Sequence, residues 1–271
     1  MDYEWPLKLS EHLDTSAQRY DVVIVDEAQD YRGLWWHVVP KLLRNDSSRF
    51  FVFYDENQIL YHNSAIGEIP INGLPLILRR NCRNTRMIHD FISLFYHDPE
   101  EIICQGPEGT KPKLFIYDDA HQQKDGLRRL LARWGEGLQD RSQPYDRVMV
   151  LTLCGRTTTF LKGTPKVGNV NLVERPNQLS KAEESARQPY TVLWSTDRRF
   201  KGLESDAVIL VDIDQQAEDA FVDRLLYVGG SRARHRLYGF VHRQSLGWLQ
   251  PRTQSRAEWY EDISMLANLE L

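Results

Sequence analysis

Seven short apolar runs, rich in β-branched and aromatic residues and mostly ending in polar or acidic ones, punctuate the chain: Tyr20 to Val25, Phe50 to Tyr54, Leu74 to Leu78, Lys113 to Tyr117, Val148 to Leu153, Thr191 to Trp194 and Ala207 to Ile213. A run that is apolar without alternation suits a strand covered on both faces, as in a parallel sheet flanked by helices. Between the runs, Leu34 to Leu43, Asn84 to Tyr96, Gln122 to Trp134 and Ala220 to Arg234 carry apolar residues at helical spacing. Strands and helices in alternation predict an α/β fold. Two segments break the pattern: Cys104 to Pro112 reads as a surface connection and Glu174 to Pro189 as a polar loop. The last stretch, Arg256 to Leu271, reads as an amphipathic helix.

With 271 residues, 41% of them hydrophobic, the chain can form one large core or two modest ones. Its 34 Lys+Arg against 38 Asp+Glu give a formal charge of −4, which excludes a generally basic coat and confines any nucleic-acid contact to a groove. Cys82, Cys104 and Cys154 are scattered, against both a disulfide framework and a zinc site. No apolar run approaches the roughly 20 residues of a membrane span, and the start lacks a signal-like pattern. The expectation is a soluble cytoplasmic protein.

The run Tyr20-Asp-Val-Val-Ile-Val-Asp-Glu-Ala-Gln-Asp30 sets Asp26 and Glu27 just past a hydrophobic strand, at the carboxyl edge where open α/β sheets bind ligands. One carboxylate there can hold Mg²⁺ against nucleotide phosphates while its neighbour orients an attacking water. This stretch resembles the Walker B motif of superfamily 1 DNA helicases of the UvrD/Rep type, and further motifs of that family recur in order up to about Val241.

The segment Phe50 to Tyr61 resembles the family's G-D-x-x-Q-S-I-Y element. The resemblance puts Gln58 on the γ-phosphate sensor and Tyr61 on a ring that stacks on single-stranded DNA, with Asn63 where a tryptophan is usual. Leu78 to Arg86 resembles the N-Y-R-S/T element, which implies that Arg83 reaches the γ-phosphate, while Cys82 replaces the adenine-stacking tyrosine. Arg79, Arg80 and Arg86 read as a solvated basic patch. Trp194 to Glu204 is similar to T-x-H-x-x-K-G-L-E, which implies nucleotide contacts for Lys201, Gly202 and Glu204, the last to the ribose, and DNA contacts for Thr196 and Arg198. Asp223 to Arg234 resembles L-x-Y-V-A-x-T-R-A, with Arg232 on the arginine finger, while Gly229 and Gly230 predict an end or kink in that helix.

A helicase of this family also needs a G-x-x-x-x-G-K-[ST] loop, and the sequence has none; only 25 residues precede Asp26, too few for that unit. The resemblance therefore implies RecA-like parallel sheets flanked by helices, a P-loop NTPase helicase fold. Residues 1–78 are expected to be part of a first RecA-like domain on the Walker B side, and 79–271 a nearly whole second one. The implied function is the C-terminal portion of an ATP-dependent DNA helicase or translocase, inactive alone. Its catalytic set would be Asp26, Glu27, Gln58, Arg83 and Arg232, with Mg²⁺ on Asp26. Its partners would be ATP, single-stranded DNA and a polypeptide supplying the missing phosphate-binding half. The alternative is a catalytically inactive helicase-like module that binds a protein or single-stranded nucleic acid.

Overall fold

The computed structural model describes residues 4–59, 66–71, 74–96, 102–136, 147–186, 188–214, 219–253 and 258–268. The chain divides into two compact units, Met1–Leu78 and Arg79–Leu271.

In the first unit, α1 (Glu4–Thr15), β1 (Val22–Val25), α2 (Gly33–Val38) and β2 (Arg49–Val52) follow one another. The two strands pair in parallel, from Val22 opposite Arg49 to Val25 opposite Val52. Alternation along β1 sends Val23 and Val25 into a small core with Ala28, Trp36 and Val39. The opposite face, with Val22, Ile24 and Phe51, is exposed, Ile24 to 63%. The helix expected from Leu34 to Leu43 gives way to a 3-10 turn at Val39–Leu42, where Pro40 supplies no backbone N–H. The strand expected at Leu74 to Leu78 does not form. Leu74 and Leu76 are 98% and 90% exposed, and no described strand pairs with them. An apolar run without a ladder partner leaves its backbone groups to water and has no reason to extend as a strand.

The second unit is built on an eight-stranded mixed sheet. In chain order its elements are β3 (Arg80–Asn81), α3 (Arg86–Ile92), β4 (Ile103–Cys104), β5 (Lys113–Tyr117), α4 (Ala120–Glu136), β6 (Val148–Thr152), β7 (Lys166–Val167), β8 (Val170–Glu174), α5 (Leu179–Ala186), β9 (Thr191–Thr196), β10 (Ser205–Ile213), α6 (Asp219–Ser231), β11 (Ala233–His242), α7 (Leu246–Arg252) and β12 (Tyr260–Asp262). The large sheet runs β12-β5-β11-β10-β6-β9-β8-β7, with β3 and β4 as a separate pair. Every neighbouring pair in the large sheet is parallel except β7–β8.

Helices cover both faces of that sheet, which explains the unbroken apolar strands. Val148, Val150, Ile209, Val211, Tyr238 and Phe240 pack with Leu127, Leu130 and Leu131 of α4. The alternate residues Met149, Leu151, Val208, Leu210 and Val241 pack with Ile88 and Phe91 of α3, Leu226 of α6 and Leu249 of α7. Both β10–β11 and β10–β6 are central pairings, so Val208 and Leu210 are wholly buried.

Three segments differ from the sequence reading. The helix expected to reach Arg234 ends at Ser231, just after the glycine pair, and β11 follows at once. Glu174 to Pro189 contains the end of β8 and all of α5 rather than being a loop throughout. The last stretch forms β12 and a 3-10 helix, Ile263–Asn268, in its described part. There Leu266 is fully buried, in one cluster with the α4 leucines.

Candidate functional site

In the first unit the chain leaves β1 into a tight polar turn. Asp26 is exposed at the strand end, and its Oδ1 accepts from the Glu27 backbone N–H at 2.9 Å. Glu27 sits in the left-handed region at φ 51°, a conformation that a side chain other than glycine adopts only when its surroundings hold it there. Two backbone bonds tie this turn to the strand beside it: Phe53 N–H donates to Val25 O and Ala28 N–H to Phe53 O. Gln29, only 1% exposed, fixes the side chains. Its Nε2 donates to Glu27 Oε2, while its Oε1 accepts from Asp55 N–H at 3.1 Å. Gln58 Nε2 then donates to Asp55 Oδ2 at 2.8 Å. The structure thus brings Asp26, Glu27 and Gln58 onto one hydrogen-bonded chain through Gln29 and Asp55, two residues to which the sequence reading gave no role. Tyr61 and Asn63 lie outside the described residues.

In the second unit a group of charged side chains gathers at the amino ends of β10 and β11, which start side by side with Ser205 opposite Ala233. Arg83 Nε lies 3.1 Å from Glu204 Oε2, and Arg234 Nη1 lies 3.7 Å from Glu204 Oε1 and 3.8 Å from Asp206 Oδ1. Arg147 and His235 complete the group, each within 4 Å of an Asp206 oxygen. These side chains, Arg83 excepted, and Ser205 line an open depression of about 510 Å³.

Two asparagines anchor Arg83. Asn81 Oδ1 accepts from the backbone N–H groups of Arg83 and Asn84, and the Asn84 amide donates to the carbonyls of Ser231 and Ala233. Asn84 is 2% exposed, so it is a fixed pin between this turn and the start of β11. Gly202 adopts φ 78°, which explains glycine in the sequence Lys201-Gly202-Leu203-Glu204 that leads into β10.

Of the other residues marked from the sequence, Arg232 and Thr196 face inward and Arg198 faces outward. Arg232 is 1% exposed; its Nε donates to Val228 O at 3.1 Å and its Nη1 to Leu203 O at 3.5 Å. Asp197 lies near enough for the Arg232 charge to favour its ionised form. Burial dominates, however, and pushes the Asp197 carboxyl up to about 7. Thr196 is 8% exposed, and its hydroxyl accepts from Arg199 N–H. Arg198 is exposed and its guanidinium stacks over the Phe221 ring at 5.0 Å. Among the described residues, no group of three or more His, Cys, Asp or Glu side chains is placed to hold a metal ion.

The comparison that bears on this geometry covers the region from β9 to β11. Residues 192–238 match the UvrD-like helicase C-terminal domain. The UvrD-like segment therefore contains Thr196, Arg198, Lys201, Gly202, Glu204 and Arg232, while Asp26, Glu27, Gln58 and Arg83 lie outside it. A solved structure described as the C-terminal domain of a possible DNA helicase from Lactobacillus plantarum WCFS1 is 22% identical, with a TM-score of 0.42, over 59% of this chain and 87% of that one. No protein of curated function matches the chain. Among the described residues, no helix is long and apolar enough to cross a membrane.

The second unit also holds a polar cluster that no sequence motif marked, with its aspartates inside the matched residues and Thr152, Cys154 and Thr159 outside them. At the carboxyl end of β10, Asp212 takes φ 58° and its Oδ2 accepts from the hydroxyls of Thr152 and Thr159, both at 2.6 Å. Burial raises the Asp212 carboxyl and, with the nearby acids Asp212, Asp214 and Asp197, pushes the Cys154 thiol up to about 11. A thiol so raised is protonated at neutral pH and a poor nucleophile. The only sequence signal for this cluster was an aspartate interrupting the apolar run of β10.

Proposed function

We propose that the chain is the C-terminal portion of an ATP-dependent superfamily 1 DNA helicase or translocase, with an ATP site that these 271 residues leave incomplete. The observation that carries the reading is the 3.1 Å contact between Arg83 and Glu204. The helicase resemblance assigns both residues to the nucleotide. They come from segments far apart in sequence, and only one of them lies in the region that matches the helicase domain. In this reading residues 1–78 contribute the Walker B side of a RecA-like domain and 79–271 form a second RecA-like domain.

The carboxylates of the first unit fit their assigned chemistry. Asp26 is an exposed carboxylate at a strand end, and a single carboxylate suffices for Mg²⁺, which keeps several waters and takes its remaining ligands from phosphate oxygens. When bound, the ion would neutralise charge on the phosphates. Glu27, with its backbone fixed by the turn and its carboxylate by the Gln29 amide, would orient a water, and Gln58 would sense the terminal phosphate without adding charge. Arg83 would meet phosphate oxygens with a planar fork of donors, and Glu204 would accept from ribose hydroxyls. Translocation on single-stranded DNA would follow from nucleotide-driven closure. Tyr61 and Arg198 are the proposed strand contacts; the burial of Thr196 leaves it a backbone-capping role in this conformation.

The chain alone should release phosphate from ATP at no more than the background rate, with or without single-stranded DNA. It has no lysine and amide cradle to hold and neutralise the triphosphate. A phosphate-release assay on the purified chain checks this. DNA-stimulated turnover that Glu27→Gln abolishes would show the site to be complete and the proposal of a missing half to be wrong.

A further inference from the structure

The connection from β9 to β10 begins with a carboxyl that the fold buries without pairing one of its oxygens. Asp197 follows directly on β9 and is 1% exposed, and its Oδ2 has no hydrogen-bond partner among the described residues. The next two residues, Arg198 and Arg199, are exposed, so the carboxyl is buried one residue short of solvent. The Arg198 and Arg232 charges favour its ionised form, as do the backbone N–H groups of Asp197 and Arg198. From the end of β6 the Cys154 thiol lies within reach of the Asp197 charge and of those of Asp212 and Asp214 at the end of β10. From α6 it meets a glycine: a Cβ at Gly229 would stand 4.0 Å from Asp197 Cβ.

The turn that follows is a single 3-10 turn, Arg198–Phe200, a form whose hydrogen bonds are poorer than those of an α-helix. Asp197 N–H donates to Thr152 O at 3.3 Å and Phe200 N–H to Asp197 O at 3.1 Å. Arg199 N–H donates to the Thr196 hydroxyl at 3.3 Å.

We propose that Asp197 is a proton-operated latch on the connection between β9 and β10. Protonated, the carboxyl stays inside and the turn is closed. When it loses its proton to water, the carboxylate swings out to solvent and residues 197–200 open while the sheet remains folded.

Three features support the latch. A buried carboxylate with an oxygen that accepts from no donor bears the cost of leaving water, which the neutral carboxyl largely escapes. Burial outweighs both arginines and pushes the Asp197 carboxyl up to about 7, which sets the working range near neutral pH. The way out is short, because the neighbouring residues are already exposed and the motion breaks the long bonds of one turn rather than a strand ladder. The turn also carries Arg198, whose guanidinium lies 5.0 Å over the Phe221 ring, so opening would release a cation at the carboxyl edge of the sheet. The sign follows from proton binding. In an open turn the carboxyl titrates near 3.9, so between about pH 4 and pH 7 the closed turn holds a proton that the open one has lost. Opening therefore grows as pH rises through this range and levels off above about pH 7.

The test is residue-resolved amide hydrogen exchange on the whole chain at pH 6 and pH 8, corrected for intrinsic rates, for wild type and Asp197→Asn. In wild type the Asp197 and Phe200 amides should open about tenfold more at pH 8 than at pH 6. At pH 8 they should also exchange faster than the Val208 and Leu210 amides in the middle of the sheet. Asp197→Asn should abolish the pH dependence; should that variant fail to fold, Asp197→Leu, also uncharged, decides in its place. Asp197 and Phe200 amides that exchange together with those of β10 at pH 8 overturn the latch, since the carboxyl then acts only on the stability of the whole unit. An uncharged variant that keeps the wild-type pH dependence also overturns it and moves the proton to another group.

Discussion

Asp197 is the side chain whose surroundings oppose its charge most directly. It is 1% exposed, its Oδ2 has no hydrogen-bond partner among the described residues, and burial outweighs the Arg232 charge in setting its proton affinity, pushing the carboxyl up to about 7. An unfolded aspartate titrates near 3.9, so between about pH 4 and pH 7 the folded state holds a proton that the unfolded state has released. Stability from this group is therefore fully present below about pH 4 and falls as pH rises to about 7. Asp197→Asn keeps the shape and removes the charge. It should be more stable than wild type at pH 8, by up to roughly 4 kcal/mol, and the two should converge near pH 4. Urea unfolding at the two pH values checks the sign: a variant less stable than wild type at pH 8 would mean that the carboxylate is paired and needed.

Among the elements, β11 shows what the sequence concealed. The residues Arg234, His235 and Arg236 at its start look like the basic end of a helix, and the strand emerges only from Leu237 to Val241. It lies between β5 and β10 in the middle of the sheet. Its Gly239 is a packing residue: a Cβ there would stand 2.6 Å from Leu114 Cδ2 and 3.0 Å from Ile213 Cδ1. Gly239→Ala should cost roughly 1–3 kcal/mol through overpacking, whereas Gly247→Ala in α7, with nothing within 4 Å, should be neutral or slightly stabilising. Chemical denaturation of both variants tests the contrast; equal effects would contradict the packing at Gly239. Six of the seven apolar runs became strands: in the four that joined the large sheet apolar continuity reports burial on both faces, β1 and β2 pair while one face stays exposed, and Leu74 to Leu78, with no ladder partner among the described residues, formed none. Of the residues that motifs marked by charge, the structure sets Asp26 and Glu27 in one turn and brings Arg83 and Glu204 into contact. Gln29 and Asn84 were not legible, since a buried amide that bridges two turns has no local pattern. Nor did the motif reveal that Arg232 is buried and Arg234 exposed. Which of two arginines faces solvent depends on how α6 ends and β11 begins.

Over the whole molecule, each unit carries one part of the chemistry that the helicase reading requires. The first unit holds the acidic turn and its amide network, and bares the apolar face of a two-stranded sheet, with Val22, Ile24 and Phe51 exposed. The second holds the Arg83–Glu204 contact, and from β9 to β11 it matches a UvrD-like helicase C-terminal domain. Parallel strands this apolar are ordinarily covered on both faces, so a further strand, loop and helix against the first unit would bury that face and supply a phosphate cradle together. The most direct measurement is ATP hydrolysis by the chain complemented, by fusion or in trans, with a segment carrying the strand, a G-x-x-x-x-G-K-[ST] loop and the helix that follows it. The account predicts phosphate release that single-stranded DNA stimulates and that Glu27→Gln reduces by orders of magnitude without loss of folding. A complemented, folded complex that binds ATP and DNA yet turns over no faster than its Glu27→Gln variant would contradict it.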